Sequence, residues 1–130
     1  MIVYASRTGN VRYIIDELGL PNIEITDDLI VTEPYLIFTY TDGLGDVPFR
    51  VEKFMKHNHQ HCKGVIASGN TNFGHSVFCK SADKISEQYN VPIIRKIELR
   101  GFQHDYDAII EAYKLLIESE DNNAGIFATE

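Results

Sequence analysis

Ile2-Val3-Tyr4-Ala5-Ser6-Arg7-Thr8-Gly9-Asn10-Val11 opens the chain with an apolar run, a polar loop and the first residue of a helical pattern. Ile2 to Ala5 is apolar throughout and reads as a core strand. Val11, Ile14, Ile15 and Leu18 recur at the spacing of one helix face, and Gly19 and Pro21 end that helix. A strand passing through a short polar loop into an amphipathic helix is half of a crossover unit, and the rest of the chain repeats it.

Ile23-Glu24-Ile25 reads as a short second strand, and Tyr35 to Tyr40 as a third, apolar enough to be buried on both faces. Pro48 stands where a helix starts, with Val51, Phe54 and Met55 on its apolar side. Gly64 to Ser68 is the fourth strand, and Phe78, Ala82, Ile85 and Tyr89 mark the helix after it. Val91 to Leu99 carries the fifth strand, and Tyr106, Ile109, Ile110, Tyr113, Leu116 and Ile117 mark the last helix. Strands alternating with helices imply right-handed crossovers and a five-stranded parallel sheet with helices on both faces, an α/β doubly wound class. Such sheets bind ligands outside the carboxyl ends of their strands, so chemistry is to be sought in the loops that follow strands.

Composition sets bounds on function. A chain of 130 residues, 44% hydrophobic and 24% charged, suits one domain with a real core. Residues 1–118 are expected to form it, with 119–130 an acidic, flexible tail. No apolar run approaches the roughly 20 residues that span a bilayer, and the start reads as a strand rather than a signal peptide. Cys62 and Cys79 form no C-x-x-C pair and are too few for a disulfide framework, which points to a reducing cytoplasm. A net charge of −7 argues against nucleic acid and favours a partner with a positive patch.

Three loops stand out. Ser6-Arg7-Thr8-Gly9-Asn10 offers hydroxyls, an amide and backbone N–H groups at the positive end of a helix, which suits a phosphate monoester without a metal. The alternative is that Ser6, Thr8 and Asn10 only cap the helix. In Thr41-Asp42-Gly43-Leu44-Gly45-Asp46-Val47-Pro48 the two spaced glycines allow a tight path and a peptide able to flip, against which a flat ligand could lie. An ordinary turn with Asp46 as a cap explains the same residues. Ser68-Gly69-Asn70-Thr71-Asn72-Phe73-Gly74 carries small and amide residues, which can read the polar edge of a heterocycle, and one aromatic. Here too a solvated turn with Phe73 folded onto the core is an alternative.

Together these stretches resemble a known family, the flavodoxin-like NrdI proteins encoded with class Ib ribonucleotide reductases. Ser6 to Val11, Thr39 to Pro48, Ala67 to Asn70 and Phe73-Gly74 carry the likeness, with Lys80 to Asp83, Gln88-Tyr89, Val91 to Ile93 and Glu98 to Gly101 further on. Gly43-Leu44-Gly45-Asp46-Val47-Pro48 and Ser68-Gly69-Asn70 are its most specific pieces, while Asp42, Leu44 and Asp46 depart from the usual loop residues. The resemblance implies a flavodoxin-like sheet of order 2-1-3-4-5 that binds FMN. Ser6, Arg7, Thr8, Gly9, Asn10 and Val11 would hold its phosphate. Tyr40, Thr41, Asp42, Gly43, Leu44 and Gly45 would line the isoalloxazine, with Gly43 or Leu44 supplying the flipping peptide that serves the redox chemistry. Ser68, Gly69, Asn70, Asn72, Phe73 and Gly74 would border the pyrimidine side. In that family reduced FMN turns dioxygen into superoxide or peroxide for the dimanganese small subunit of the reductase, where a tyrosyl radical forms; an upstream flavin-reducing protein recharges it. A one-electron-carrier flavodoxin and a non-redox phosphate-binding module are the competing readings.

The chain has no Trp, and its Asp42 to Gly45 stretch has no aromatic, so one face or edge of a bound flavin should stay open to dioxygen and a partner. Asp42 and Asp46 near the ring would disfavour added negative charge. His57-Asn58-His59-Gln60-His61-Cys62 lacks the second ligand pair of a tetrahedral metal site and reads as a surface loop. Cys79 is expected to pack, inert, beside the apolar face of its helix, and Asp27-Asp28 to cap a turn. His75 and His104 have no acid–base partner at recognisable spacing.

Overall fold

The structure, a computed structural model, describes residues 1–119. The elements run β1 (Ile2–Tyr4), α1 (Asn10–Leu18), β2 (Asn22–Glu24), β3 (Tyr35–Tyr40), α2 (Phe49–Asn58), β4 (Cys62–Gly69), α3 (Lys80–Tyr89), β5 (Ile93–Glu98) and α4 (Gln103–Tyr113). A π-helical turn, Lys114–Glu118, continues α4 and buries Ile117. The expected tail over 119–130 lies, apart from Ser119, outside the described residues.

The five strands form one parallel sheet in the order β2-β1-β3-β4-β5. Alternation along β3 divides the core. Tyr35 and Ile37 face one side with Val51, Met55 and Ile85 of α2 and α3, while Leu36 and Phe38 face the other with Ile14, Ile15 and Ile109 of α1 and α4. Each helix therefore uses the apolar face its spacing announced. The chain runs from β1 outward to β2, then returns across to β3. That reversal splays the loops after β1 and β3 apart and opens a crevice at the carboxyl end of the sheet.

Local differences from the sequence reading have physical causes. β2 ends at Glu24 and all three of its residues are exposed, as befits a short edge strand, while Ile25 turns into the core just beyond it. Pro48 precedes α2 rather than starting it, with ψ at 139°. α3 begins at Lys80 instead of near Phe78, because Cys79 adopts a left-handed φ of 50° before the helix. The segment from Thr26 to Val31 is tied to α2 by buried Asn58, which accepts the Val31 N–H at 2.8 Å and donates to the carbonyls of Leu29 (3.2 Å) and Phe54 (2.9 Å). Asp28 accepts from the Thr26 hydroxyl at 3.1 Å, so the aspartate pair does sit in a turn. His59 stacks on Tyr89 with ring centroids 5.1 Å apart, and among the described residues no three His, Cys, Asp or Glu side chains gather as a metal site.

Candidate functional site

β1 delivers the first loop to the crevice, and the loop leaves its backbone donors free. Gly9 stands at the N-terminus of α1 with φ at 94°, a left-handed conformation that glycine adopts without strain, and so brings no side-chain cap of its own. The hydroxyl of Ser6 accepts the Arg12 N–H at 3.2 Å, one turn inside. The N–H groups of Arg7, Thr8, Gly9, Asn10 and Val11 have no hydrogen-bond acceptor among the described residues. Thr8 and Asn10 are thus not caps. A run of open N–H groups at the positive end of a helix has the donors and the field to receive an anion.

The loop after β3 is a small closed ring. Asp42 and Asp46 bridge each other, with Asp42 N–H donating to the Asp46 carbonyl at 2.8 Å and Asp46 N–H returning to the Asp42 carbonyl at 2.7 Å. Gly43 and Gly45 take φ of 48° and 113° to make the turn. Thr41 shares a 2.7 Å hydrogen bond with buried Ser81 of α3, which anchors the loop's base. Asp46 faces Lys84 at 3.2 Å and caps no helix. Asp42 faces Arg7 at 3.6 Å, and the Arg7 guanidinium also lies 5.4 Å from the Tyr40 ring centre, joining this loop to the first. Both acidic residues of the loop are therefore balanced by cations, which offsets the negative field expected of them.

Glu98 at the end of β5 holds the loop after β4. Its carboxylate accepts the Thr71 N–H at 3.0 Å and the Thr71 hydroxyl at 3.0 Å. Asn70 accepts the Asn72 N–H at 2.9 Å, and Ser68 donates its hydroxyl to the Leu99 carbonyl at 2.6 Å. Phe73 is 63% exposed, so it does not fold onto the core.

These loops enclose a cavity of about 360 Å³. Ser6, Arg7, Thr8, Asn10, Val11, Tyr40, Thr41, Gly43, Ser68, Gly69, Asn70 and Phe73 line it. Gly9, Asp42, Leu44, Gly45, Asn72 and Gly74 belong to the same loops but do not line the cavity, and the Leu44 side chain stands 74% exposed. Val77, Cys79 and Leu99 also line it, although the sequence offers none of the three as a cofactor-binding residue. Cys79 stands just before α3 and packs, as expected, in the core cluster of that helix's Ala82 and Ile85, its thiol directed at the carbonyls of Ala67 (3.4 Å) and Ile97 (3.8 Å). Burial pushes that thiol up to about 12, so it stays protonated and unreactive at neutral pH. Leu99 holds a left-handed φ of 53°, a conformation nothing in its side chain announces. The rule that binding loops follow strands, applied to the fifth strand as to the others, would have found it.

An anion cradle at the first loop beside a cavity at the switch point of a 2-1-3-4-5 sheet defines a flavodoxin-like protein. The chain matches the family model described as NrdI flavodoxin-like over residues 2–111 and belongs to that family. Among solved structures it is similar to a short-chain flavodoxin associated with a PDU bacterial microcompartment, at 20% identity and a TM-score of 0.69, covering 91% of this chain and 95% of that one. It is also similar to oxidised Flavodoxin 1 from Bacillus cereus, at 16% identity and a TM-score of 0.59, covering 82% of this chain and 88% of that one. These likenesses show the fold.

The cofactor of this family is FMN. The residues present fit it. The open N–H groups from Arg7 to Val11 match a phosphate, a Cβ built on Gly9 meets nothing within 4 Å, and the cavity volume of about 360 Å³ falls in the range of small-ligand pockets, roughly 300–1,000 Å³. No helix among the described residues is long and apolar enough to cross a membrane.

Proposed function

We propose that this protein activates the small subunit of a class Ib ribonucleotide reductase. When bound and reduced, FMN supplies electrons that convert dioxygen to superoxide or peroxide, the oxidant the dimanganese site uses to generate its tyrosyl radical. The observation that carries the reading is family membership over residues 2–111 joined to a cavity walled at the loop after β3 by Gly43 alone of Asp42 to Gly45.

The chain's own residues divide the work. The backbone N–H groups from Arg7 to Val11 bind the phosphate, with the dipole of α1 behind them. Tyr40, Thr41 and Gly43 of one loop and Ser68, Gly69, Asn70 and Phe73 of another would border the flavin ring. The loop is closed by the Asp42–Asp46 bridge and by the Gly45 N–H, which donates to the Asp42 carbonyl at 3.1 Å. Neither closure uses the Gly43 carbonyl or the Leu44 N–H, so that peptide can turn and offer either group to the ring. Leu44 points away from the cavity, leaving an edge for dioxygen and for the docking subunit. A flavin-reducing protein would recharge the cofactor, and a reducing cytoplasm suits the two buried free thiols.

The test is an activation assay. FMN-loaded protein is reduced without oxygen, mixed with the manganese-loaded small subunit and exposed to dioxygen while EPR follows the tyrosyl radical. Radical that depends on this protein is the expected result. FMN binding without radical formation from a competent partner would overturn it in favour of a one-electron carrier.

A further inference from the structure

The turn after β5 places an arginine beside the start of α1. Leu99 N–H donates to the Gly69 carbonyl at 2.8 Å, Gly101 N–H to the Glu98 carbonyl at 2.8 Å, and the Tyr106 hydroxyl to the Arg100 carbonyl at 2.6 Å. Leu99 and Gly101 are both left-handed, at φ of 53° and 68°. A non-glycine residue held there costs energy and persists only where the surroundings fix it. The turn so fixed sends the Arg100 side chain across to the start of α1. Its guanidinium lies 4.5 Å from the Tyr13 ring centre, and its Nε donates to Asn10 Oδ1 at 3.4 Å.

Four arginines surround the first loop. Arg7 faces Asp42 at 3.6 Å, Arg12 faces Asp16 at 3.5 Å and Arg50 faces Glu24 at 3.9 Å. Arg100 makes no ion pair with a carboxylate among the described residues, although the chain carries a net charge of −7. It is also held against the positive end of a helix, beside a run of N–H groups with no acceptor. Two positive features juxtaposed in this way repel each other, and a dianion between them turns the repulsion into attraction.

We infer that Arg100 is the cation reserved for the cofactor's phosphate, a specificity-determining residue through which the loop after β5 selects FMN over unphosphorylated riboflavin. This rests on the FMN reading above. Asn10, which lines the cavity, is positioned by the same guanidinium. The side chain is exposed, so its replacement leaves the fold intact.

The test is a flavin-fluorescence titration of wild type, Arg100→Gln and Arg100→Lys with FMN and with riboflavin, at low and high salt. Arg100→Gln should bind FMN about tenfold more weakly, the scale of one charge-assisted contact, with riboflavin changed by less than twofold. Its FMN affinity should also fall less steeply with salt, and Arg100→Lys should recover most of the loss. Unchanged FMN affinity in Arg100→Gln, or equal losses for both flavins, would overturn the inference while leaving FMN binding standing. Wild type that binds no FMN would overturn the cofactor reading itself, before any variant is compared.

Discussion

Gly101 and Gly9 both carry positive φ, at 68° and 94°, yet alanine should cost far more at one than at the other. Any L side chain in the left-handed region costs about 1–2 kcal/mol. At Gly9 that is the whole cost, because a Cβ there meets nothing within 4 Å. At Gly101 the Cβ would stand 2.5 Å from Ile97 Cγ2 and 2.9 Å from Asp105 Oδ2. Ile97 is fully buried and has nowhere to retreat. The Asp105 carboxylate is fixed by Arg95 at 2.9 Å and by the Phe102 N–H at 2.8 Å. Overpacking of this kind adds roughly 1–3 kcal/mol, giving a total of about 2–5 kcal/mol for Gly101→Ala. A domain's whole stability is about 5–15 kcal/mol, so this loss is large. Urea unfolding followed by circular dichroism measures both variants. Gly101→Ala within about 1 kcal/mol of wild type, or Gly9→Ala as damaging as Gly101→Ala, would refute the reasoning.

Replacing Glu98 with Ala removes the acceptor of the Thr71 N–H and hydroxyl. Faster proteolysis between Asn70 and Gly74 and a weaker hold on the flavin should follow, read by mass-mapped digestion and by titration. Asn58→Ala strands the Val31 N–H in the core, removes a donor from the Leu29 and Phe54 carbonyls and should cost about 1–3 kcal/mol, with hydrogen exchange rising from Thr26 to Val31. Alkaline stability depends on the buried thiols. Burial pushes the Cys79 thiol up from its ordinary 9.0 to about 12 in the folded state, and also raises Cys62 and Tyr35. The unfolded chain releases these protons first, so stability is full below pH about 9 and falls as pH climbs toward 12. Cys79→Ala should flatten that decline in urea midpoints taken at pH 7 and above 9, and an identical slope would count against it.

The helices were legible because their apolar residues repeat on one face: Val11, Ile14, Ile15 and Leu18 are all buried, as are Val51, Phe54 and Met55. The central strands were legible because both faces are covered and their sequences are apolar throughout. The apolar pattern puts β2 one residue late because Ile25, the residue that is buried, lies just past the strand. The left-handed Cys79 and Leu99 left no mark in the sequence, since neither residue type favours positive φ. They shift the start of α3 and shape the turn at Arg100, and both reach the cavity. The strand-end rule pointed to the first, third and fourth loops because their glycines, hydroxyls and amides are conspicuous. In the fifth loop Glu98 to Gly101 carries part of the family likeness, but its Leu99-Arg100 looks like ordinary surface and does not announce a place at the cavity.

The assignment turns on whether the row of open N–H groups from Arg7 to Val11 receives the phosphate of FMN. A 15N-resolved amide spectrum of the FMN-free protein titrated with FMN tests this directly. The expected result is that the Arg7 to Val11 amides shift most, moving downfield as they gain an acceptor, with Thr41 to Gly45 and Ser68 to Phe73 perturbed by the ring. FMN binding that leaves the amides of Arg7 to Val11 unmoved would contradict the assignment of the site.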